Sequence, residues 1–266
     1  MVGLMKNKFS NMSKMDRVRW LIFIFVRIIV LILIALAILL IATAKDSESV
    51  SAEEIESRGV FVLANAILML IASFLPSILE RAWKVEIPSF MEILFIVFCF
   101  LSLILGEIAN FYSYFYGWDS MLHASSGVLI TSLGFIVLNT LNKSDHISSK
   151  MSPIFVCIFA FSFSLAIGAL WEIVEYVLDS INGTNMQRYR DNFNETILFC
   201  GREALKDTMK DIILDAIGSF IVAIIGYIDL KCHKVFVPKL VLESKEIKKE
   251  ETKVIKRTGW HKRQKK

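Results

Sequence analysis

Three short stretches of this chain place ionisable groups where lipid would be expected. Asp119 and His123 open the run "WDSMLHASSG". Glu172, Glu175 and Asp179 close "ALWEIVEYVLDS". Asp207, Asp211 and Asp215 open "DTMKDIILDAIGS". Their spacings are i, i+4, then i, i+3, i+7, then i, i+4, i+8. Each set therefore falls on one face of a helix. Charges in membrane-length apolar runs are costly and mark function by default. Carboxylates crowded in a low dielectric must take up protons or bind a cation. One histidine with several carboxylates suits Mg²⁺, Mn²⁺ or Zn²⁺. The candidate ligands of a divalent metal such as Mg²⁺ are His123, Glu172, Asp207, Asp211 and Asp215. His123, Glu175 and Asp119 are the candidate catalytic groups, with His123 or Glu175 as general base. Arg188, Arg190 and Arg202 are candidate substrate-binding cations, joined by Lys206 and Lys210, and Glu107 approaches from the same side.

Simpler roles compete with each assignment. Acids at helix N-termini, such as Asp119, Asp207 and Asp211, are favoured by the helix dipole and by capping. Glu172 and Glu175 could pair with Arg188, Arg190 or Arg202. His123 could be a hydrogen-bonded packing residue. Dipole arguments do not reach the acids at the C-terminal end of a helix, so they leave part of the constellation unexplained.

The elements that must position these groups are long and apolar. The chain has 266 residues, is 55% hydrophobic and has a mean hydropathy of +0.56. This predicts an all-α, multi-pass membrane protein. Six helices are expected: Ile28–Ala44, Val60–Leu79, Phe90–Leu105, Met121–Leu138, Ile154–Val177 and Ile212–Ile228. The first is read as a retained anchor, since Ala42-Thr43-Ala44 is the nearest thing to a cleavage site. Arg27 is expected to reach toward the near interface. Pro76 marks a kink or stop, and Pro153 a helix start. The chain divides into an N-terminal arm (1–27), a six-helix membrane domain (28–230) and a basic tail (231–266).

Loop charges set the direction. Basic residues number 22 on the side of the termini and 7 on the other, so both termini are placed in the cytoplasm. The tail carries net +9 of an overall +4, leaving −5 for the rest. Its mixed signs suit a solvated extension attracted to anionic headgroups rather than to nucleic acid, which is not an expected partner. In this orientation the acidic segment "KDSESVSAEEIESR" and the loop 179–210 lie outside. All three acidic helix ends then meet at the outer leaflet. The four cysteines show no paired spacing and read as small apolar residues. Phe111, Tyr112, Tyr114, Phe115, Tyr116 and Trp118 read as an interfacial aromatic belt. Ala124, Ser125, Ser126, Gly127, Gly168 and Gly218 allow close helix approach. No phosphate-cradling glycine loop, HExxH or GxSxG motif is present.

The stretches "WDSMLHASSG", "ALWEIVEY" and "DTMKDIILDAIGS" resemble the YjdF-like bacterial integral membrane proteins, and more distantly the VanZ-like proteins. Asp119, His123, Glu172, Glu175, Asp207, Thr208, Asp211 and Gly218 match that pattern, which covers about Val60 to Ile228. Asp215 is an extra acid, and the loop from Asn182 to Lys206 is longer than the pattern implies. The resemblance implies a bacterial plasma membrane and an uncharacterised family. It implies no particular reaction.

Three functions are open at this stage. One is a metal-dependent enzyme acting at the outer leaflet on a lipid-linked phosphate or headgroup. Asp207-x3-Asp211-x3-Asp215 is weakly similar to the aspartate spacing of CDP-alcohol phosphotransferases and membrane prenyltransferases, whose acids lie on the cytoplasmic side. The second is a proton- or cation-coupled transporter, which needs polar residues continuing across the membrane. Asn65, Ser132, Ser162 and Ser164 are the few candidates. The third is a non-catalytic membrane factor whose polar cluster ties helices together. Membrane lipids are the expected partners, and a homo-oligomer could supply symmetry to a transporter.

Overall fold

Runs of Leu, Ile, Val and Phe with few breakers can satisfy their backbone in lipid only as helices. The computed structural model bears this out. It describes residues 12–45, 50–83, 85–143, 151–191, 196–232 and 243–244. The helices are α1 (Lys14–Lys45), α2 (Val50–Ala72), α3 (Leu75–Trp83), α4 (Ser89–Cys99), α5 (Phe111–Tyr114), α6 (Trp118–Lys143), α7 (Pro153–Asn182) and α8 (Lys206–Cys232). A π-helical stretch, Phe100–Ile108, prolongs α4. Two-residue strands β1 (Val85–Glu86) and β2 (Glu243–Ser244) pair antiparallel. Six helical segments are long and apolar enough to cross a membrane: Lys14–Ala44, Ala52–Ala82, Ser89–Ile108, Trp118–Leu138, Pro153–Asn182 and Lys206–Lys231. The multi-pass all-α architecture therefore stands.

The helices run past the expected apolar cores. α1 begins at Lys14, so half of the expected N-terminal arm is helix. There Arg19 pairs with the buried Glu92 of α4, and Asp16 accepts from Ser89 at 2.5 Å. From Val50 onward the acidic segment expected as a loop forms the opening turns of α2, where Glu53 lies in the first turn at the positive end of the helix dipole. Beyond Cys232 the basic tail lies outside the described residues apart from β2.

Pro76 marks a real break. α2 stops at Ala72, and α3 restarts with Pro76 as its second residue. Arg27 serves this break instead of reaching for the interface as expected. It donates to the Ser73 carbonyl at 2.8 Å and to Ser73 Oγ at 3.2 Å, and its guanidinium lies 4.2 Å from the Phe74 ring centre. A proline-interrupted helix leaves carbonyls without donors, and in lipid a side chain from a neighbouring helix can supply them.

Two apolar clusters hold the bundle. Phe23, Val26, Val30, Ala66, Met69, Ile96 and Ile104 join α1, α2 and α4. Met91, Phe135, Ile136, Leu138, Val156, Cys157, Ala160 and Val222 join α4, α6, α7 and α8. Outward residues of α1 such as Leu21, Phe25, Ile32, Leu36 and Leu39 are about half exposed, as a lipid-facing stripe requires.

Lipid offers no hydrophobic drive between helices, so close packing depends on small residues. A methyl added at Gly218 would collide with the Ala124 carbonyl. One at Gly127 would collide with the Asp215 carbonyl and lie 3.1 Å from Ser219 Oγ. These two glycines bring the α6 and α8 backbones together beside the polar residues.

Candidate functional site

Antiparallel succession puts the start of α6, the end of α7 and the start of α8 at one end of the bundle. Their acidic faces turn inward there. His123, Glu172, Glu175, Asp179, Asp211 and Asp215 are all buried, with Asp211 and Asp215 at 1% exposure. A face that periodicity alone could assign to lipid, solvent or protein is in fact the inner face of a three-helix contact.

His123 organises the cluster, and its two ring nitrogens do different things. Nδ1 lies 3.3 Å from Asp215 Oδ2. Nε2 lies 3.7 Å from Asp119 Oδ1 and 3.9 Å from Glu172 Oε1. Asp215 is held in turn by Ser126, whose hydroxyl donates to its other oxygen. Gly168 of α7 lies against the same carboxylate; a methyl there would overlap Asp215 Oδ2 and come within 3.0 Å of its Cγ. The arrangement matches a histidine whose Nδ1–H is fixed by a carboxylate, which leaves Nε2 to ligate a metal.

Asp119, His123 and Asp211 each offer one ligand atom, and these atoms lie within 4.8 Å of one another. Two oxygens near them are buried without a hydrogen-bond partner: Asp211 Oδ1 and Glu172 Oε1. A buried carboxylate oxygen left in this way is expensive unless a cation or proton completes it. Asp207 stands at the rim, close to Lys210 Nζ at 3.7 Å; the same amine lies 3.9 Å from Asp211 Oδ1.

Of the three arginines, Arg188 reaches the cluster. It lies 3.4 Å from Asp119 and 3.7 Å from Asp207. Arg190 donates to the Gly183 and Thr184 carbonyls and thereby ties its own loop. Arg202 is exposed on the turn before α8. Among the described residues no ion pair joins Glu172 or Glu175 to any of these arginines. Glu107, on the π-helical end, faces Arg58.

Asp179 sits on the same helical face as Glu172 and Glu175 yet has another task. Its carboxylate accepts from Thr184 Oγ1 at 2.6 Å, Met186 N at 2.8 Å and Gln187 N at 2.9 Å. Gly183 ends α7 with φ +65°, as C-terminal glycines do. The chain is thus folded back over the cluster. Gln187 then donates to the Glu172 carbonyl and to Thr208 Oγ1, both at 3.1 Å. Arg188 follows with φ +46°. A left-handed non-glycine residue costs about 1–3 kcal/mol and persists only where its surroundings enforce it. Sequence reasoning gave Gln187 no role beyond its place in "NGTNMQ", the stretch that resembles a Gly-Thr-Gln region of the YjdF-like proteins, and it missed the turn role of Asp179. Asn182-Gly183-Thr184 marks a helix end without saying where the loop goes.

Beneath the cluster a short polar thread continues. Ser164 donates to the Gly127 carbonyl at 3.2 Å, and Ser219 to Ser164 at 2.8 Å. Thr131 is fully buried with no partner for its hydroxyl. Then Phe135, Ile136, Val156 and Val222 close the interior. Among the described residues Asn65 and Ser132 donate to carbonyls of their own helices, and Ser162 is exposed.

The aromatic belt also divides. Phe111 packs against Phe115 with ring centres 4.5 Å apart and planes tilted by 44°, and it meets Trp118 edge-on at 4.9 Å, while Tyr114 and Tyr116 are exposed. Tyr112 turns inward over Gly106, with its hydroxyl 3.1 Å from Ser102. Burial pushes that hydroxyl well above the usual tyrosine range, so it stays protonated.

Comparison with known proteins agrees with the membrane architecture. Residues 24–231 match the family described as "Predicted membrane protein (DUF2238)". A relative from Thermotoga maritima, described as an uncharacterized protein, is 26% identical over 179 residues. That alignment spans 67% of this chain and 80% of the relative. No solved structure matches the chain. The family match covers α6, α7, α8 and every residue of the cluster, and the chain belongs to this family of membrane proteins.

Proposed function

We propose that this protein is a metal-dependent membrane enzyme that acts on a lipid-linked phosphate or headgroup at the outer leaflet. One observation carries the reading. Asp119, His123 and Asp211 converge with ligand atoms within 4.8 Å, and Asp211 Oδ1 is buried there without a hydrogen-bond partner. Ligands around a small divalent ion sit ~2.0–2.6 Å from it, so modest side-chain closure would complete such a shell. Glu172 and Asp207 are further oxygen donors at its edge. Asp215 is assigned to orienting His123 through Nδ1 instead of ligating metal. A bound cation would polarise a phosphoryl oxygen, and the buried Glu175, outside the ligand triplet, would take up a proton from the attacking hydroxyl or water.

The other two readings fit less well. A transporter needs a polar route across the bundle, and the thread below Asp215 ends against Phe135, Ile136, Val156 and Val222. A closed structural knot needs every buried oxygen hydrogen-bonded, and Glu172 Oε1 and Asp211 Oδ1 have only contacts of 3.9 Å, to His123 Nε2 and Lys210 Nζ. The likeness to YjdF-like proteins belongs to this proposal as support for a shared site and a bacterial plasma membrane.

Metal analysis of purified protein tests the proposal. Wild type should retain or bind about one Mn²⁺ or Mg²⁺ per chain and melt at a higher temperature with it, because a ligand that binds only the folded state stabilises it. His123→Ala and Asp211→Asn should lose both effects. A wild type with no bound ion and no thermal shift at millimolar metal would refute the metal centre.

A further inference from the structure

We propose that Arg188 is the phosphate-recognition residue of this site and is shared in turn between protein carboxylates and the substrate. The inference rests on the metal-centre reading and adds the ligand class and the residue that selects it. The ligand is a phosphate group with at least two anionic oxygens, one for the metal and one for the guanidinium.

The first argument is how Arg188 is held. Its guanidinium reaches Asp119 at 3.4 Å and Asp207 at 3.7 Å. A charge-assisted N–H···O⁻ bond spans about 2.7–2.9 Å. The pairing is therefore loose, and the side chain is still 26% exposed at the mouth of the cluster. Guanidinium offers a planar fork of donors that suits phosphate oxygens, and it stays charged at any working pH.

The second argument is how the backbone delivers it. Asp179 accepts three hydrogen bonds from residues 184–187, and Gln187 is anchored to both α7 and α8. Arg188 comes directly after this anchor. The arm is built and braced, so the cation is aimed at the cluster before any ligand arrives.

The third argument is competition. Asp119 is both a partner of Arg188 and a member of the ligand triplet. Arg188 contacts Asp119 Oδ2 while Oδ1 faces His123 Nε2, so a divalent ion held by Asp119, His123 and Asp211 would share the Asp119 carboxylate with Arg188 and weaken that ion pair. With that hold weakened, the Arg188 guanidinium would be available to a phosphate oxygen at the mouth of the cluster. Lys210 adds a positive charge beside Asp207 and Asp211.

The test uses the full chain in nanodiscs, with wild type, Arg188→Ala and Arg188→Lys. Mn²⁺ is titrated alone, then with inorganic phosphate, then in nanodiscs containing phosphatidic acid. Without phosphate, Arg188→Ala should bind Mn²⁺ about threefold or more tightly, because a competing cation is gone. With phosphate in either form, its Mn²⁺-dependent anion affinity should fall about tenfold, and Arg188→Lys should restore only part of it. Binding in the phosphatidic acid arm alone assigns the phosphate to a lipid headgroup. Binding in both arms assigns recognition to the phosphate itself. Mn²⁺ binding by wild type with no anion binding, or with Arg188→Ala equal to wild type, overturns this inference and leaves the metal centre standing. Absence of Mn²⁺ binding by wild type overturns both.

Discussion

Gly168→Ala isolates the role of Asp215 from that of the proposed metal ligands. The new methyl would overlap Asp215 Oδ2 and approach its Cγ to 3.0 Å and its Cβ to 3.4 Å. A free carboxylate would swing aside at little cost. This one is held by Ser126 on one oxygen and by His123 Nδ1 at 3.3 Å on the other. Relief therefore means breaking the contact that fixes the imidazole. Overpacking of this kind costs about 1–3 kcal/mol in stability. Loss of the residue that orients a ligating histidine costs about 10–100-fold in metal affinity. Mn²⁺ titration of purified Gly168→Ala, with its melting temperature, measures both. The fold should survive while Mn²⁺ affinity drops by at least tenfold. Gly218→Ala should behave in the opposite way. Its methyl meets the Ala124 carbonyl, which is backbone and cannot rotate away, so folding should suffer first. Wild-type Mn²⁺ affinity in a well-folded Gly168→Ala protein would refute the assignment of Asp215 as the group that orients His123.

Other expectations follow from the same contacts. Asp179→Ala should leave α7 and α8 intact but free residues 184–188, read as lost amide-exchange protection at Met186 and Gln187 and weakened phosphate binding. Arg27→Leu should leave the Ser73 carbonyl without its side-chain donor in the helix break, costing about 1–3 kcal/mol, seen as a lower melting temperature with metal binding unchanged. Cys200 is exposed on the loop between α7 and α8, whereas Cys157 is buried. In a Cys232→Ser background, a membrane-impermeant maleimide should label Cys200 on intact cells; labelling only after lysis would reverse the proposed orientation and the leaflet of the site.

Much of the architecture is legible along the chain. Apolar runs of membrane length specify helices, because lipid leaves the backbone no other partner. Direction alternates from span to span, so the start of α6, the end of α7 and the start of α8 had to share one end. Spacings of three and four put Glu172 with Glu175, and Asp207 with Asp211 and Asp215, on single faces. Family membership then follows from residues 24–231 as a whole.

What the chain alone could not specify depends on register between helices and on loop dihedrals. Asp211 and Asp215 are one turn apart and alike in sequence. Only the close approach at Gly127, Gly168 and Gly218 puts Asp215 on His123 Nδ1 and Asp211 beside Asp119 and His123. Asp179 shares the helical face of Glu172 and Glu175, but it lies in the last turn, where free N–H groups of the following loop claim its carboxylate. Arg188, Arg190 and Arg202 are indistinguishable as letters; a left-handed turn aims the first at Asp119 and Asp207, while Arg190 binds its own loop. Periodicity along one helix says which residues share a face. Which atom of that face meets which atom of another helix is settled by glycine contacts and positive φ angles, and those exist only once the chain has folded.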